Sequence, residues 1–166
     1  MFSIGDKIMY GSEGAFTVAE YTSSPIDKND PRQFYVLRPV HGPAGNVIIT
    51  PVDNERIKMR PVMSRNEALA LIDKIPSIPL LTVENEKKRR DTYRQALSGA
   101  TCEDLVSIIK TVKARKEELI KNKKRISESD NDYETKARFC FYGELSISLD
   151  LPLDSIEAFI KERLSA

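Results

Sequence analysis

The side chains able to act as nucleophiles, acid–base groups or metal ligands are few and scattered. The 166 residues include one histidine, His41, and two cysteines, Cys102 and Cys140. His41 stands between Val40 and Gly42-Pro43, at a strand end or turn, with no nucleophile spaced to pair with it. Cys102 opens a helical pattern, and a helix N-terminus can lower a thiol pKa. Alone, it reads as a small first-turn residue. Cys140, between Phe139 and Phe141, reads as core. This set cannot make a four-ligand zinc site or a disulfide framework. Neither Gly-x-Gly-x-x-Gly nor a glycine-rich loop ending in Gly-Lys-Ser/Thr occurs. Adjacent carboxylates such as Glu117-Glu118 fall on a charged helix face and read as solvated surface. An enzyme is therefore not expected, and neither is a cofactor; the enzymatic rival would have to use Cys102 or His41.

Phosphate binding is the chemistry the sequence does offer. Residues 87–125 hold 13 basic and 5 acidic side chains, so this stretch is +8 inside a chain whose net charge is +1. Residues 1–63 balance 7 basic against 7 acidic side chains, and residues 126–166 carry 4 against 9. A positive zone between a neutral head and an acidic tail points to a polyanionic partner. Its centre is Lys87-Lys88-Arg89-Arg90, with Arg94 one turn on. Four consecutive positions spread around a helix, so at least two must face solvent. Lys110, Lys113, Lys121 and Lys124 are expected to share a second face, and Lys123-Lys124-Arg125 closes that helix, where cations also complement the macrodipole. No zinc finger, aromatic RNA-binding motif or recognition helix is present to read bases. Any DNA contact would therefore be to backbone and shape.

The elements that must carry these residues fall into two kinds. Five of the 7 glycines lie in the first 45 residues, and prolines 25, 31, 39, 43, 51 and 61 crowd the first 63. Between them stand short apolar runs at 7–10, 15–21, 33–37, 47–50 and 56–59, the pattern of a small all-β barrel or sandwich. Gly45-Asn46 is a tight-turn signal, and residues 23–32 read as an exposed loop. After Met63 the period becomes 3.6. Ser64-Arg65-Asn66-Glu67 is a capping box, followed by Ala68, Leu71, Ile72 and Ile75 on one face. Pro76 and Pro79 end that helix. The periodicity predicts a second helix from about 83 to 97, ending at Gly99. A third is capped by Thr101, with Leu105, Ile108, Ile109, Val112, Leu119 and Ile120 facing inward. A fourth carries Tyr133, Ala137, Cys140, Phe141, Leu145 and Leu149 inward, and a last runs over 154–164. The expected division is a β domain over 1–63 and a helical domain over 64–166. No apolar run approaches the roughly 18–20 residues of a spanning helix. The opening Phe2-Ser3-Ile4-Gly5-Asp6 lacks the basic region of a secretory signal. A cytoplasmic protein with no membrane partner is expected.

Several motifs, in order, resemble CarD/CdnL-type bacterial transcription regulators. The opening Phe2-Ser3-Ile4-Gly5-Asp6-Lys7-Ile8-Met9-Tyr10-Gly11-Ser12-Glu13-Gly14 is similar to the family's start. The same β module occurs in transcription-repair coupling factors. Phe34-Tyr35-Val36-Leu37 and Val47-Ile48-Ile49-Thr50-Pro51 look like its third and fourth strands. Ala96-Leu97-Ser98-Gly99, Ala137-Arg138 and Gly143-Glu144-Leu145 resemble the family's helical motifs, so the likeness spans nearly the whole chain. It implies an α+β protein: a small Tudor-like N-terminal barrel followed by an all-α helical bundle.

By this resemblance the β module grips the RNA polymerase β subunit, partly by strand augmentation. The helical domain contacts promoter DNA at the upstream edge of the transcription bubble and alters open-complex stability. Ser24, Ile26 and Ile49 fall where the family meets polymerase. Arginines are usual at the first and third of these, so Arg32 or Arg56 could supply the charge here. Lys87, Lys88 and Arg90 match positions contacting the DNA backbone, with Arg89 among them. Asn85 stands where many members place a tryptophan wedge, and asparagine cannot prop open an unstacked base step. The rival from another class is a protein-interaction adaptor without DNA contact.

Overall fold

The computed structural model describes residues 1–99 and 101–166. The chain is mixed α+β and divides into two compact units, Met1–Val62 and Met63–Ala166.

The first unit is a five-strand antiparallel sheet of β1 (Lys7–Tyr10), β2 (Gly14–Thr22), β3 (Phe34–Pro39), β4 (Ile48–Pro51) and β5 (Met59–Pro61). The strands lie in the order β4-β3-β2-β1-β5, so β4 and β5 are edges and the sheet is open. One face carries the core: Ile8, Tyr10, Phe16, Val18, Tyr35 and Leu37. Alternation puts even-numbered residues of β1 and β2 on that face. A register shift between Val18 and Glu20 inserts one residue, and Tyr21 then pairs with Tyr35 and packs on the core side. Without that bulge Tyr21 would face away. Two tyrosine hydroxyls pin the N-terminal strand entry. Tyr35 Oη accepts the Phe2 amide at 2.8 Å, and Tyr21 Oη donates to the Phe2 carbonyl at 2.5 Å. Gly11 turns the β1–β2 hairpin with φ +50° while donating to Lys58 O at 2.8 Å; a Cβ there would lie 2.8 Å from Ile57 Cγ2.

After β1, the strands shift by one or two residues from the sequence pattern, and the last shifts most. The run at 56–59 becomes a strand only at Met59, because Asn54 Oδ1 accepts the amides of Arg56 and Ile57 and curls the backbone before it can pair.

The second unit holds five helices: α1 (Arg65–Lys74), α2 (Arg89–Gly99), α3 (Cys102–Lys121), α4 (Glu128–Leu149) and α5 (Ile156–Ser165). The capping box of Ser64 and Glu67 is formed, and Thr101 and Ser127 cap α3 and α4. The second unit packs round α4, which touches each of the other four helices. Ala137, Cys140, Phe141, Leu145 and Leu149 of α4 are buried, each burial worth roughly 1–3 kcal/mol. The backbone of Met63 belongs to this unit. Its amide donates to Glu144 Oε1 at 3.0 Å, and its carbonyl accepts from Ser148 Oγ at 2.7 Å.

Two helical expectations are corrected. The second helix begins at Arg89 rather than near 83, because Asn85, in an extended conformation, accepts the Lys88 amide and starts a separate 3-10 turn over Glu86–Lys88. Ile120 is 70% exposed despite its apolar spacing, because no residue of α3 beyond Val112 is buried. Among the described residues, no helix is long and apolar enough to cross a membrane.

Candidate nucleic-acid interface

In the helical unit, burial sorts the basic residues into two groups. The inner group is neutralised by carboxylates of α4. Asp130, fully buried, takes Arg89 Nε on Oδ1 at 3.0 Å and has Arg115 Nε 3.0 Å from Oδ2, the latter without hydrogen-bond alignment. Glu134, nearly buried, takes Lys116 Nζ at 2.7 Å and lies 2.9 Å from Arg138 Nε. Lys110 is committed too. Its ammonium donates to Ile75 O at 2.8 Å and Ile78 O at 2.5 Å, holding the segment after α1 against α3. Ser107 and Thr111, on the same helical face, bond Pro79 O and the Leu81 amide. The expected cationic face of Lys110, Lys113, Lys121 and Lys124 is therefore broken. Lys110 points at carbonyls, and Lys124 lies beyond the helix end.

The outer group is free of these ties. Lys87, Arg90, Lys113, Lys121, Lys123, Lys124 and Arg125 are exposed and make no ion pair among the described residues. Lys88 pairs with Glu84 at 3.1 Å, but both are well exposed and such a pair is worth little. Arg89 is unlike its neighbours: its side chain is 13% exposed and bound to Asp130 and Glu86. The four-residue basic run thus presents Lys87, Lys88 and Arg90 outward and sends Arg89 inward. Lys123 occupies the left-handed region at φ 55°, just past α3, while the Lys124 amide returns to Leu119 O at 2.8 Å. That closure turns four cations between 121 and 125 outward around one helix end.

Asn85 is exposed, and its Oδ1 accepts the Lys88 amide at 3.1 Å. Its side chain thereby fixes the turn that carries Lys87 and Lys88. Sequence reading gave it no such role, although Asn before a short turn is a capping signal.

A cleft of about 400 Å³ opens beside this turn, with Leu80, Val83, Asn85, Arg89, Tyr93 and Arg115 among its lining residues. Tyr93 is fully buried, and its hydroxyl has no hydrogen-bond partner among the described residues. Burial, then the nearby Asp130 carboxylate, pushes its pKa up, while Arg89 and Arg115 pull it down. Nothing in the sequence spacing marked Tyr93, Asp130 or Glu134. A charged residue at a core position of a helix reads from sequence as a break in the pattern, and only the fold shows its partner.

In the β unit, Ser24, Ile26 and Ile49 are spread over a loop and an edge strand. Ser24 Oγ accepts the amides of Ile26 and Asp27 at 3.3 and 3.0 Å, so its side chain shapes the loop. Ile26 is 94% exposed at the loop's tip. Ile49 of β4 is 43% exposed, opposite Val36. Val52 donates to Gln33 O at 3.0 Å, and antiparallel alternation then directs the Ile49 amide and carbonyl to the open edge of β4. Pro51 closes this edge, having no amide to offer. Arg32 is engaged: it forms a two-pronged pair with Asp30 and lies 5.5 Å from the Phe34 ring centre. That pair lowers the Asp30 pKa and raises that of Arg32. Arg56 is exposed.

Cys102 and Cys140 are both buried, and the Cys102 thiol donates to Glu144 Oε2 at 3.3 Å. His41 is half-buried after β3. No group of three or more His, Cys, Asp or Glu residues suited to a metal occurs among the described residues.

No protein-family model matches the chain, and no curated protein matches it.

Proposed function

We propose that this chain is a non-enzymatic transcription regulator of the CarD/CdnL kind, its β unit serving as a Tudor-like module for the RNA polymerase β subunit and its helical unit as a promoter-DNA contact. The observation that carries the reading is the sorting of cations. Asp130 and Glu134 neutralise the inner set, which leaves Lys87, Lys88, Arg90 and residues 121–125 as a surplus of outward charge. Such a surface suits phosphates and carries no base-reading chemistry. Lys87, Lys88 and Arg90 contact the backbone near the upstream bubble edge. Asn85 positions them and, lacking a ring, gives a weaker hold on the open complex than a tryptophan wedge. Ile49, Ile26 and the open edge of β4 meet polymerase by strand addition, with Ser24 setting the loop.

The test is retention of purified RNA polymerase and of a forked promoter fragment by the full chain. Ile49→Glu should lower polymerase retention about tenfold and leave DNA affinity unchanged. Lys87→Glu with Arg90→Glu should do the reverse. If the chain ignores polymerase, the reading fails. If polymerase is held and DNA is not, the adaptor reading replaces it.

A further inference from the structure

Two arginines of the helical unit converge on one exposed carboxylate. Asp130 engages Arg89 and Arg115 by their Nε sides, and it is fully buried. The terminal nitrogens of both guanidiniums then meet at Glu86. Arg115 Nη1 and Nη2 lie 3.1 and 2.9 Å from its two oxygens, and Arg89 Nη1 bonds the same carboxylate. Glu86 is 68% exposed and sits in the 3-10 turn beside the cleft that Tyr93 lines. The site is thus built from behind by a buried acid, and closed from in front by a solvated one.

We propose that the Arg89–Arg115 fork is a phosphate-binding site, held shut in this structure by Glu86 as an internal phosphate mimic. Two guanidinium charges against Asp130 leave the fork at +1, and a phosphodiester would neutralise it as Glu86 does. Paired N–H donors in a plane suit a phosphate as well as a carboxylate. The unpartnered Tyr93 hydroxyl, buried at the same cleft, is a further polar group that no protein atom among the described residues satisfies. Glu86 is displaceable because it is solvated and its chain segment is a short turn, whereas Asp130 is not. A phosphate entering here would swing Glu86 outward and lock the turn bearing Lys87 and Lys88 onto the same polyanion. That the phosphate belongs to DNA rests on the function proposed above; the fork itself does not.

The test uses the full chain carrying Glu86→Gln, which keeps the side-chain shape and removes the charge. Two probes separate the phosphate sources: forked duplex DNA, followed by fluorescence anisotropy, and inorganic phosphate against chloride at matched ionic strength, followed by thermal unfolding. Glu86→Gln should tighten DNA about three- to tenfold and let inorganic phosphate raise the melting temperature by a few degrees. When Arg115→Lys is added to Glu86→Gln, both gains should vanish, since lysine keeps the charge and loses the fork. Gains that persist in the double variant would mean general electrostatics and would overturn the proposal. So would the absence of both gains in Glu86→Gln. A phosphate-induced gain without any DNA binding would keep the fork, assign it to a free phosphate, and sink the DNA-contact reading instead.

Discussion

Asp130 shows at the scale of one residue why composition is a poor guide to which charges are available. It lies in the first turn of α4, where an acidic residue complements the helix dipole and looks like surface. It is instead fully buried, with two arginines on its oxygens. Replacing Asp130 by Asn keeps the shape and strands two guanidiniums, one of them 13% and the other 28% exposed. Breaking a buried pair from one side costs about 3–5 kcal/mol. Glu86 still compensates here, so a loss of about 3 kcal/mol in urea unfolding is expected for Asp130→Asn, against less than about 1 kcal/mol for Glu86→Gln. Equal losses for the two would mean that solvent screens the Asp130 side as well. The sequence showed the basic run but could not show that its third member, Arg89, turns inward. Four adjacent positions on a helix are equivalent until a partner helix chooses among them.

At the scale of elements, the legible features were those with local causes. The capping box at Ser64, the cap at Thr101 and the inward stripe of α4 each follow from spacing alone. The illegible ones depend on contacts distant in sequence. The open edge of β4 and the exposure of Ile120 are of this kind, whereas the late start of α2 has a local cause, the Asn85 cap on the Lys88 amide. The last helix is another long-range case, since its contact with α1 includes a pair 90 positions apart: Arg163 Nε and Nη2 meet the two oxygens of Asp73 at 2.8 and 2.9 Å. The Arg163 hydrogen bond lowers the Asp73 pKa below 3.8, and Asp73 in turn raises that of Arg163. A carboxyl whose folded pKa lies below its unfolded value adds stability above the unfolded pKa. That stability is lost as pH falls through the folded one. The melting temperature of Asp73→Asn should therefore lie below that of the native chain at pH 7, with the gap closing as the pH drops below 3.8. A gap that stays constant to acid pH would show that the pair contributes only packing. The screened, exposed position keeps the expected gap small.

For the whole molecule, a net charge of +1 conceals a stretch of +8, and the fold decides how much of that surplus faces outward. The division into a β part and a helical part was readable from glycine, proline and period. The charge surplus was readable too, but its outward share was not. Arg89, Lys110, Arg115 and Lys116 leave it for internal partners, Lys88 and Arg94 sit in exposed pairs with Glu84 and Asp91, and Lys87, Arg90, Lys113, Lys121, Lys123, Lys124 and Arg125 remain. This changes the expected salt dependence of DNA binding. Each phosphate neutralised on duplex DNA contributes about −0.9 to the slope of log affinity against log salt. Seven unpaired outward cations give a slope of about −6 rather than the value of about −12 that all 13 would give. Affinity should then fall roughly four-thousandfold between about 50 and about 200 mM salt, measured by anisotropy with the full chain. Opening the fork with Glu86→Gln adds one phosphate contact and should steepen the slope by about one. A native slope of only about −1 would leave the outward cations solvated and unengaged, and the helical unit would then have to be read as a protein-facing surface.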